Sequence, residues 1–313
     1  MLEARYIQAI DRVEILLGHL NDVRVLSAQE LSVYKMGFSI GWEIPSLCEG
    51  SDYRLRLLLS KDFPFKPPRV AVAPVPKILT WPHLENKGIL CLLPESAAHS
   101  LEDIESVVLT LLESARKLVL DSLLSEGFDE FEDEFNSYWE RWIKNAPKIS
   151  VLCQPVGPSR WVSSWHSTLG AIIAEDDTTL RHWLQNLYGH NKEKTISPQP
   201  IPLLWLPRPL RPSEYPATAG ALIDLLGNDE HAKSMLQQLL LDESAKYKTI
   251  LLGFAGHRGV GFAGLRIGEI VQHRRTGKAL YNGYRKQPPK DIMLMRYRSA
   301  PINGAYTKRY DAA

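Results

Sequence analysis

Prolines at 64, 67 and 68 crowd the stretch Phe63-Pro64-Phe65-Lys66-Pro67-Pro68-Arg69-Val70. Each lacks the backbone N–H that a central strand must donate, so this stretch bends the chain instead of continuing a sheet. On its N-terminal side, Tyr53, Leu55, Leu57 and Leu59 alternate with Arg54, Arg56 and Leu58, the period-two pattern of a half-buried strand over 53–60. Residues 37–43 form a further strand, and Val70 to Val75 alternates well enough for an edge strand. The expectation is an antiparallel meander of three or more strands over 36–75, with the proline bend inside it.

Helical spacing flanks that meander. Tyr6, Ile7, Ile10, Val13, Leu16, Leu17 and Leu20 predict an amphipathic helix over 2–22. An irregular crossing runs from Pro76 to about Ser100, and its apolar residues, Trp81, Leu84, Ile89 and Leu90 among them, argue that it is packed and therefore functional. Ser100-Leu101-Glu102-Asp103 resembles a capping box, and Ile104, Val108, Leu111, Leu112, Ala115 and Val119 continue the helix it would start. Over 127–143, Phe128, Phe131, Phe135, Trp139 and Trp142 recur at helical spacing. The opposite face is acidic (Asp129, Glu130, Glu132, Asp133, Glu134), a solvated face in the simpler reading and a recruiting surface for a basic partner in the sharper one.

Composition narrows the function. A formal net charge of +1 argues against a broad nucleic-acid or membrane footprint. No run of about 20 apolar residues and no signal-peptide core is present, so a cytoplasmic protein without a membrane span is expected. Cys48, Cys91 and Cys153 are an odd number without C-x-x-C spacing, which fits a reducing compartment and disfavours a metal site. Cys48 and Cys153 have no supporting pattern and read as small buried hydrophobes. Cys91 follows a packed, proline-braced loop, Trp81-Pro82-His83 through Gly88-Ile89-Leu90, on a ledge suited to a thiolate that relays an acyl group between carriers.

This order of helix, meander, Phe-Pro-Phe-Lys-Pro-Pro-Arg-Val, Pro82-His83-Leu84-Glu85-Asn86-Lys87-Gly88-Ile89-Leu90-Cys91-Leu92 and capped helix resembles the ubiquitin-conjugating enzymes. The resemblance covers about residues 1–145. It implies an α+β fold, a conjugating-like antiparallel meander with flanking helices, and a catalytic Cys91. Pro82 falls on the proline of that family's His-Pro-Asn tripeptide, Gly88 on its glycine three residues before the cysteine, and Leu92 on the leucine after it, all supporting the active-site loop. Trp81 stands on the tripeptide's His and His83 on its Asn. His83 can still donate a hydrogen bond through a ring N–H, act as a base, or depress the cysteine pKa if charged. The acid that the family places two residues after the cysteine is replaced by Leu93, which leaves Glu95 or Asp103 to orient an incoming amine.

The second half is less telling. Residues 144–165 read as a domain connection, 180–188 as a helix, 203–206 as a strand, and 218–241 as helix broken near Gly227-Asn228-Asp229. Strands are expected at 249–254 and 292–297, with 264–272 a third strand or a short helix. Gly259-Val260-Gly261-Phe262-Ala263-Gly264 matches a dinucleotide loop literally, yet no strand ending in an acid follows, so it reads as a flexible glycine turn. The basic run Arg266, His273, Arg274, Arg275, Lys278, Arg285, Lys286 and Lys290 reads as a solvated surface. The expected organisation is a conjugating-like domain, 1–146, and a mixed α/β linker domain, 147–313.

The whole order resembles the N-terminal part of bacterial fused activating–conjugating enzymes from anti-phage cyclic-oligonucleotide operons. That implies an adenylating domain after residue 313 or in trans, which would use the ATP, with no cofactor in this chain. It also implies a cGAS-like nucleotidyltransferase, or a ubiquitin-like protein, as the conjugated partner. A homodimer is compatible with the sequence; nucleic acid and membrane are not expected as partners. The rival reading is a non-enzymatic adaptor of conjugating-like fold that binds the same proteins.

Overall fold

The computed structural model describes residues 2–45, 52–93, 103–143, 146–167, 170–189, 197–242, 248–268 and 290–310. The chain separates into two compact units, Met1–Glu130 and Phe131–Ala313. Cys48, Glu95, Ser100 and the 273–286 part of the basic run lie outside the described residues.

In the first unit the period-two pattern becomes a five-stranded antiparallel sheet: β1 (Arg24–Val25), β2 (Phe38–Pro45), β3 (Arg54–Ser60), β4 (Arg69–Ala73) and β5 (Ile89–Leu90), in that spatial order. Each strand pairs antiparallel with the next, so the expected meander is present with a short strand added at either edge. One face presents Trp42, Ile44, Leu55, Leu57, Leu59, Val70 and Val72. Against it pack Ala9, Val13 and Leu17 of α1 (Leu2–Leu17) and Val108, Leu111, Leu112, Ala115 and Val119 of α3 (Ile104–Leu123). Arg12 ties the two helices by donating Nε–H to the Glu105 carboxylate at 2.7 Å.

The other face of the sheet explains the one apolar residue on the polar side of β3. Leu58, with Ala71 and Ile89, is covered by Leu26 and Tyr34 around the short helix α2 (Ala28–Ser32). This helix carries a full capping box: Ser27 accepts from the Glu30 N–H, and Glu30 accepts from the Ser27 N–H. Beside it the buried Glu43 carboxylate pairs with Arg24 at 2.9 Å, Arg54 at 3.3 Å and Arg56 at 2.8 Å. Helix α3 begins at Ile104, not Ser100. Its cap is Asp103, which accepts from the Ser106 N–H at 3.1 Å.

The expected single helix over 127–143 is two pieces, α4 (Glu130–Asp133) and α5 (Phe135–Trp142). The compact units divide at Glu130/Phe131, because the aromatic edge of α5 packs into the second core. Phe135, Trp139 and Trp142 pack with Tyr215, and Phe135 also meets Phe254 at a centroid distance of 4.5 Å. The Trp139 indole N–H donates to the Ala305 carbonyl at 3.2 Å. Much of the acidic face is satisfied internally: Glu132 takes Arg211 at 2.7 Å, and Glu134 takes Arg258 at 3.7 Å.

The second unit is organised by a closed barrel. Its strands are β6 (Lys148–Leu152), β7 (Arg160–Ser167), β8 (Gly170–Ala174), β9 (Gln199–Leu206), β10 (Lys248–Gly256), β11 (Gly259–Ile267) and β12 (Ile302–Arg309), in the order β10-β11-β12-β6-β8-β7-β9. Pairing is mixed: β9–β10, β6–β12 and β6–β8 run parallel, the rest antiparallel. Ile149, Val151, Val162, Ile173, Leu203, Leu251 and Phe262 fill its interior. Helices α6 (Asp177–Tyr188), α7 (Ala219–Leu225) and α8 (Glu230–Leu241) cover its outside, and the break between α7 and α8 falls at Gly227-Asn228-Asp229 as expected.

Three expectations in this half are corrected. Residues 144–165 are not a connection but contain β6 and most of β7; Pro147, Pro155 and Pro158 flank the strands instead of interrupting them. Residues 292–297 are helix α9 (Lys290–Tyr297), because a short apolar run rich in Met and Leu does not distinguish strand from helix by periodicity. The glycine motif is neither a dinucleotide loop nor, past Gly259, a turn. Gly261 pairs with Phe254 and Gly264 with Leu251 inside the β10–β11 hairpin. A side chain at Gly264 would collide with Ile149, and one at Gly261 with the Phe254 ring, so these glycines make room for packing.

Candidate active site around Cys91

The loop that bears Cys91 is pinned at both ends. Strand β5 pairs Leu90 with Val70 and Ile89 with Ala71 on β4, so the cysteine comes directly after two anchored residues. Gly88 lies in the left-handed region at φ 82°, and a Cβ there would come within 3.0 Å of the Val72 carbonyl oxygen. Only glycine lets the chain lie that close to β4. On the other side, buried Trp81 packs edge-on against Tyr53 at 4.8 Å, and Arg69 holds Glu85 at 3.1 Å.

Between these anchors the segment 83–91 folds back on itself. The Glu85 N–H donates to the Ile89 carbonyl at 2.7 Å, Leu84 and Leu90 form an antiparallel bridge, and the Cys91 N–H donates to the His83 carbonyl at 2.8 Å. That single backbone bond places His83 opposite Cys91 across the fold-back. His83 itself is left-handed, at φ 52°, a conformation His tolerates better than most non-glycine residues. Pro82 before it is buried. Cys91 is half-buried: neither in the core nor on a mobile tip. Leu92 leans on the first core and supports the ledge from behind.

The structure thus brings together Cys91, His83, Pro82, Gly88 and Leu92. Asp103 is occupied as the cap of α3. Sequence reasoning missed Glu130 as a member of this group. Its carboxylate lies 2.7 Å from Nε2 of His83. A carboxylate accepts only, so Nε2 carries the hydrogen of that bond. Glu130 stood in the sequence as one acid among five on a solvated face, 47 positions away from His83, and no spacing marked it.

Cys153 is the contrast. It is buried in the barrel, and burial first, then the nearby Glu175, pushes its thiol up to about 12. Such a thiol is neutral and inert at physiological pH. Among the described residues no group of three or more His, Cys, Asp or Glu could hold a metal ion, and no helix is long and apolar enough to cross a membrane.

These features define a half-buried thiol on a pinned loop at the end of an antiparallel meander. Residues 25–147 match the family model Prokaryotic E2 family B, which marks a bacterial E2-like, conjugating-enzyme-like domain there. The matched span includes His83, Cys91 and Glu130 and covers less than half of the chain. No curated protein matches the chain.

Proposed function

We propose that this chain is a ubiquitin-conjugating-like transferase that carries the C-terminal acyl group of a protein as a thioester on Cys91. The Cys91 thiolate attacks the thioester carbonyl presented by an activating enzyme; the new C–S bond forms, the old one breaks, and the donor's thiolate leaves. The acyl group then passes to an amine or thiol acceptor. The observation that supports this most is the half-exposed Cys91 held opposite His83 by the 2.8 Å backbone bond, on a loop that Gly88 seats against β4.

By resemblance, the setting is bacterial anti-phage defence in the cytoplasm. The activating partner is an adenylating domain in cis or trans that uses ATP, and the cargo is a cGAS-like nucleotidyltransferase or a ubiquitin-like protein. The barrel unit is then the linker that serves the activating partner. The test is a thioester trap with an activating domain, ATP and candidate cargo, read on a non-reducing gel. A thiol-sensitive adduct should vanish in Cys91→Ala and persist in Cys153→Ala. Cargo binding that survives Cys91→Ala, with no adduct from a competent activating domain, would replace the transferase with an adaptor.

A further inference from the structure

We infer that the second unit binds a mononucleotide in a groove on the outer face of the β6–β12 strand pair. The inference stands on that unit alone and goes beyond the thioester reading of Cys91, which it does not need.

Strands β6 and β12 run parallel, with Lys148 opposite Tyr306 and Ser150 opposite Lys308. Side chains alternate along a strand, and Ile149 and Ala305 belong to the barrel interior. Lys148, Ser150, Tyr306 and Lys308 therefore share the outer face, and Tyr310, two residues past Lys308, continues it. Glu140 of α5 joins them around a hollow of about 360 Å³, a size within the range of small-molecule sites. Glu140 follows Trp139, whose indole is bonded to the Ala305 carbonyl, so it lies at the Tyr306 end of the groove. At the other end the Tyr310 ring leans on Trp183 of α6 at a centroid distance of 5.7 Å, and the Lys308 ammonium lies over the same ring at 5.1 Å. The ring thus holds the Lys308 charge against the groove wall rather than out in solvent. The side chains of Lys148, Ser150 and Glu140 have no hydrogen-bond or ion-pair partner among the described residues.

These groups fit three parts of one ligand. Lysine ammonium groups only donate. Lys148 and Lys308 stand diagonally across a strand pair, about 8 Å apart at Cα, so both can close on one phosphate, with the Ser150 hydroxyl beside Lys308 as a further donor. Tyr306, directly opposite Lys148, offers its ring to a flat heteroaromatic base. The Glu140 carboxylate only accepts, so it suits a ribose hydroxyl or a ring amine at that end and repels a bare anion. A phosphate, a sugar hydroxyl and a flat base together make a mononucleotide. A longer nucleic-acid strand would run its phosphates past Glu140, and the chain's formal net charge of +1 gives such a strand no broad basic footprint.

Titration calorimetry on the full chain tests this with AMP, GMP, CMP and UMP, with inorganic phosphate, and with an oligouridylate of about eight nucleotides. The proposal expects at least one mononucleotide to bind with a Kd below about 1 mM, about ten-fold or more tighter than phosphate. Lys148→Met and Lys308→Met should each weaken that binding about ten-fold or more, while Lys61→Met, at an exposed lysine of the first unit, should leave it unchanged. Tyr306→Leu should bring the nucleotide down to the affinity of phosphate. Because Tyr306 packs against the second core, Tyr306→Phe is the control: it keeps the ring and should bind as the parent does. No binding by any of the four mononucleotides, or binding untouched by both lysine variants, overturns the proposal. Phosphate that matches the nucleotides would leave a plain anion site, and an oligouridylate about ten-fold tighter than any mononucleotide would make the groove a nucleic-acid surface; either result also overturns it.

Discussion

Replacing Gly88 by alanine tests whether the Cys91 loop is seated on β4 as described. Two costs add at this position. A non-glycine residue at φ 82° pays for the left-handed conformation, about 1–2 kcal/mol. The new Cβ also meets the Val72 carbonyl oxygen, and that oxygen belongs to a strand paired on both sides, so neither partner can yield cheaply. Overpacking against rigid surroundings costs about 1–3 kcal/mol. The sum is about 2–5 kcal/mol. Gly127→Ala is the matched control: the same unit, φ 70°, and nothing within 4 Å of a built Cβ. It should cost the conformational part alone, about 1–2 kcal/mol. Both variants carry the same glycine-to-alanine effect on the unfolded chain, so that effect cancels in the comparison. Calorimetry of the full chain should show the first unit melting earlier in Gly88→Ala than in Gly127→Ala. The Gly88→Ala variant should also alkylate Cys91 at an altered rate, since the ledge has moved. Equal melting of the two variants, with unchanged alkylation, would refute the seating of the loop on β4.

Native-state alkylation by iodoacetamide should label Cys91 and leave Cys153 unmodified until the barrel unfolds, because burial holds the Cys153 thiol near 12; early Cys153 adducts on mass spectrometry would contradict that burial. Glu43→Ala leaves Arg24, Arg54 and Arg56 crowded around a vacancy and should cost about 3 kcal/mol by urea denaturation; a cost below about 1 kcal/mol would show that the cluster behaves as ordinary surface charge. His166 is held neutral, its pKa lowered to about 4 by burial and then by Arg266. The unfolded chain therefore takes up that proton first, and between about pH 6.5 and 4 stability falls as pH falls. Allowing for its partial exposure, this loss is about 2 kcal/mol and should be absent in His166→Gln; identical pH slopes in the two proteins would remove His166 as the source.

The first unit was legible because its signals are local. Period-two alternation named β3 and β4, the prolines named the bend, and Gly88 three residues before Cys91 marked the loop. The outer-face cover by Leu26 and Tyr34 was not legible, since only Leu58, an apolar residue on a polar face, hinted at it. The barrel hid itself for a different reason. Its strands are short, several are flanked by proline, and its parallel pairs join segments far apart in sequence, so periodicity in any one window carries little. Residues 144–165 looked like a connection for that reason, and 292–297 looked like a strand because Met and Leu suit either state in so short a run. Glu130 could not be found at all: its bond to His83 depends on where α4 begins in space, not on what surrounds it in the chain.

Closure of the barrel has a consequence for the order in which the molecule is made. Strand β12 sits between β11 and β6, and its parallel pairing with β6 sets Tyr306 to Arg309 against Lys148 to Val151. Until Arg309 has left the ribosome, β6 and β11 each present an open edge, the kind of surface that recruits stray strands. The first unit has no such dependence, since every strand it uses precedes Cys91 in the chain. During synthesis the cysteine-bearing unit can therefore be finished while the second is still an unsealed sheet, and a ribosome stalled between Ile267 and Ile302 would release a chain with its thiol in place and its barrel open.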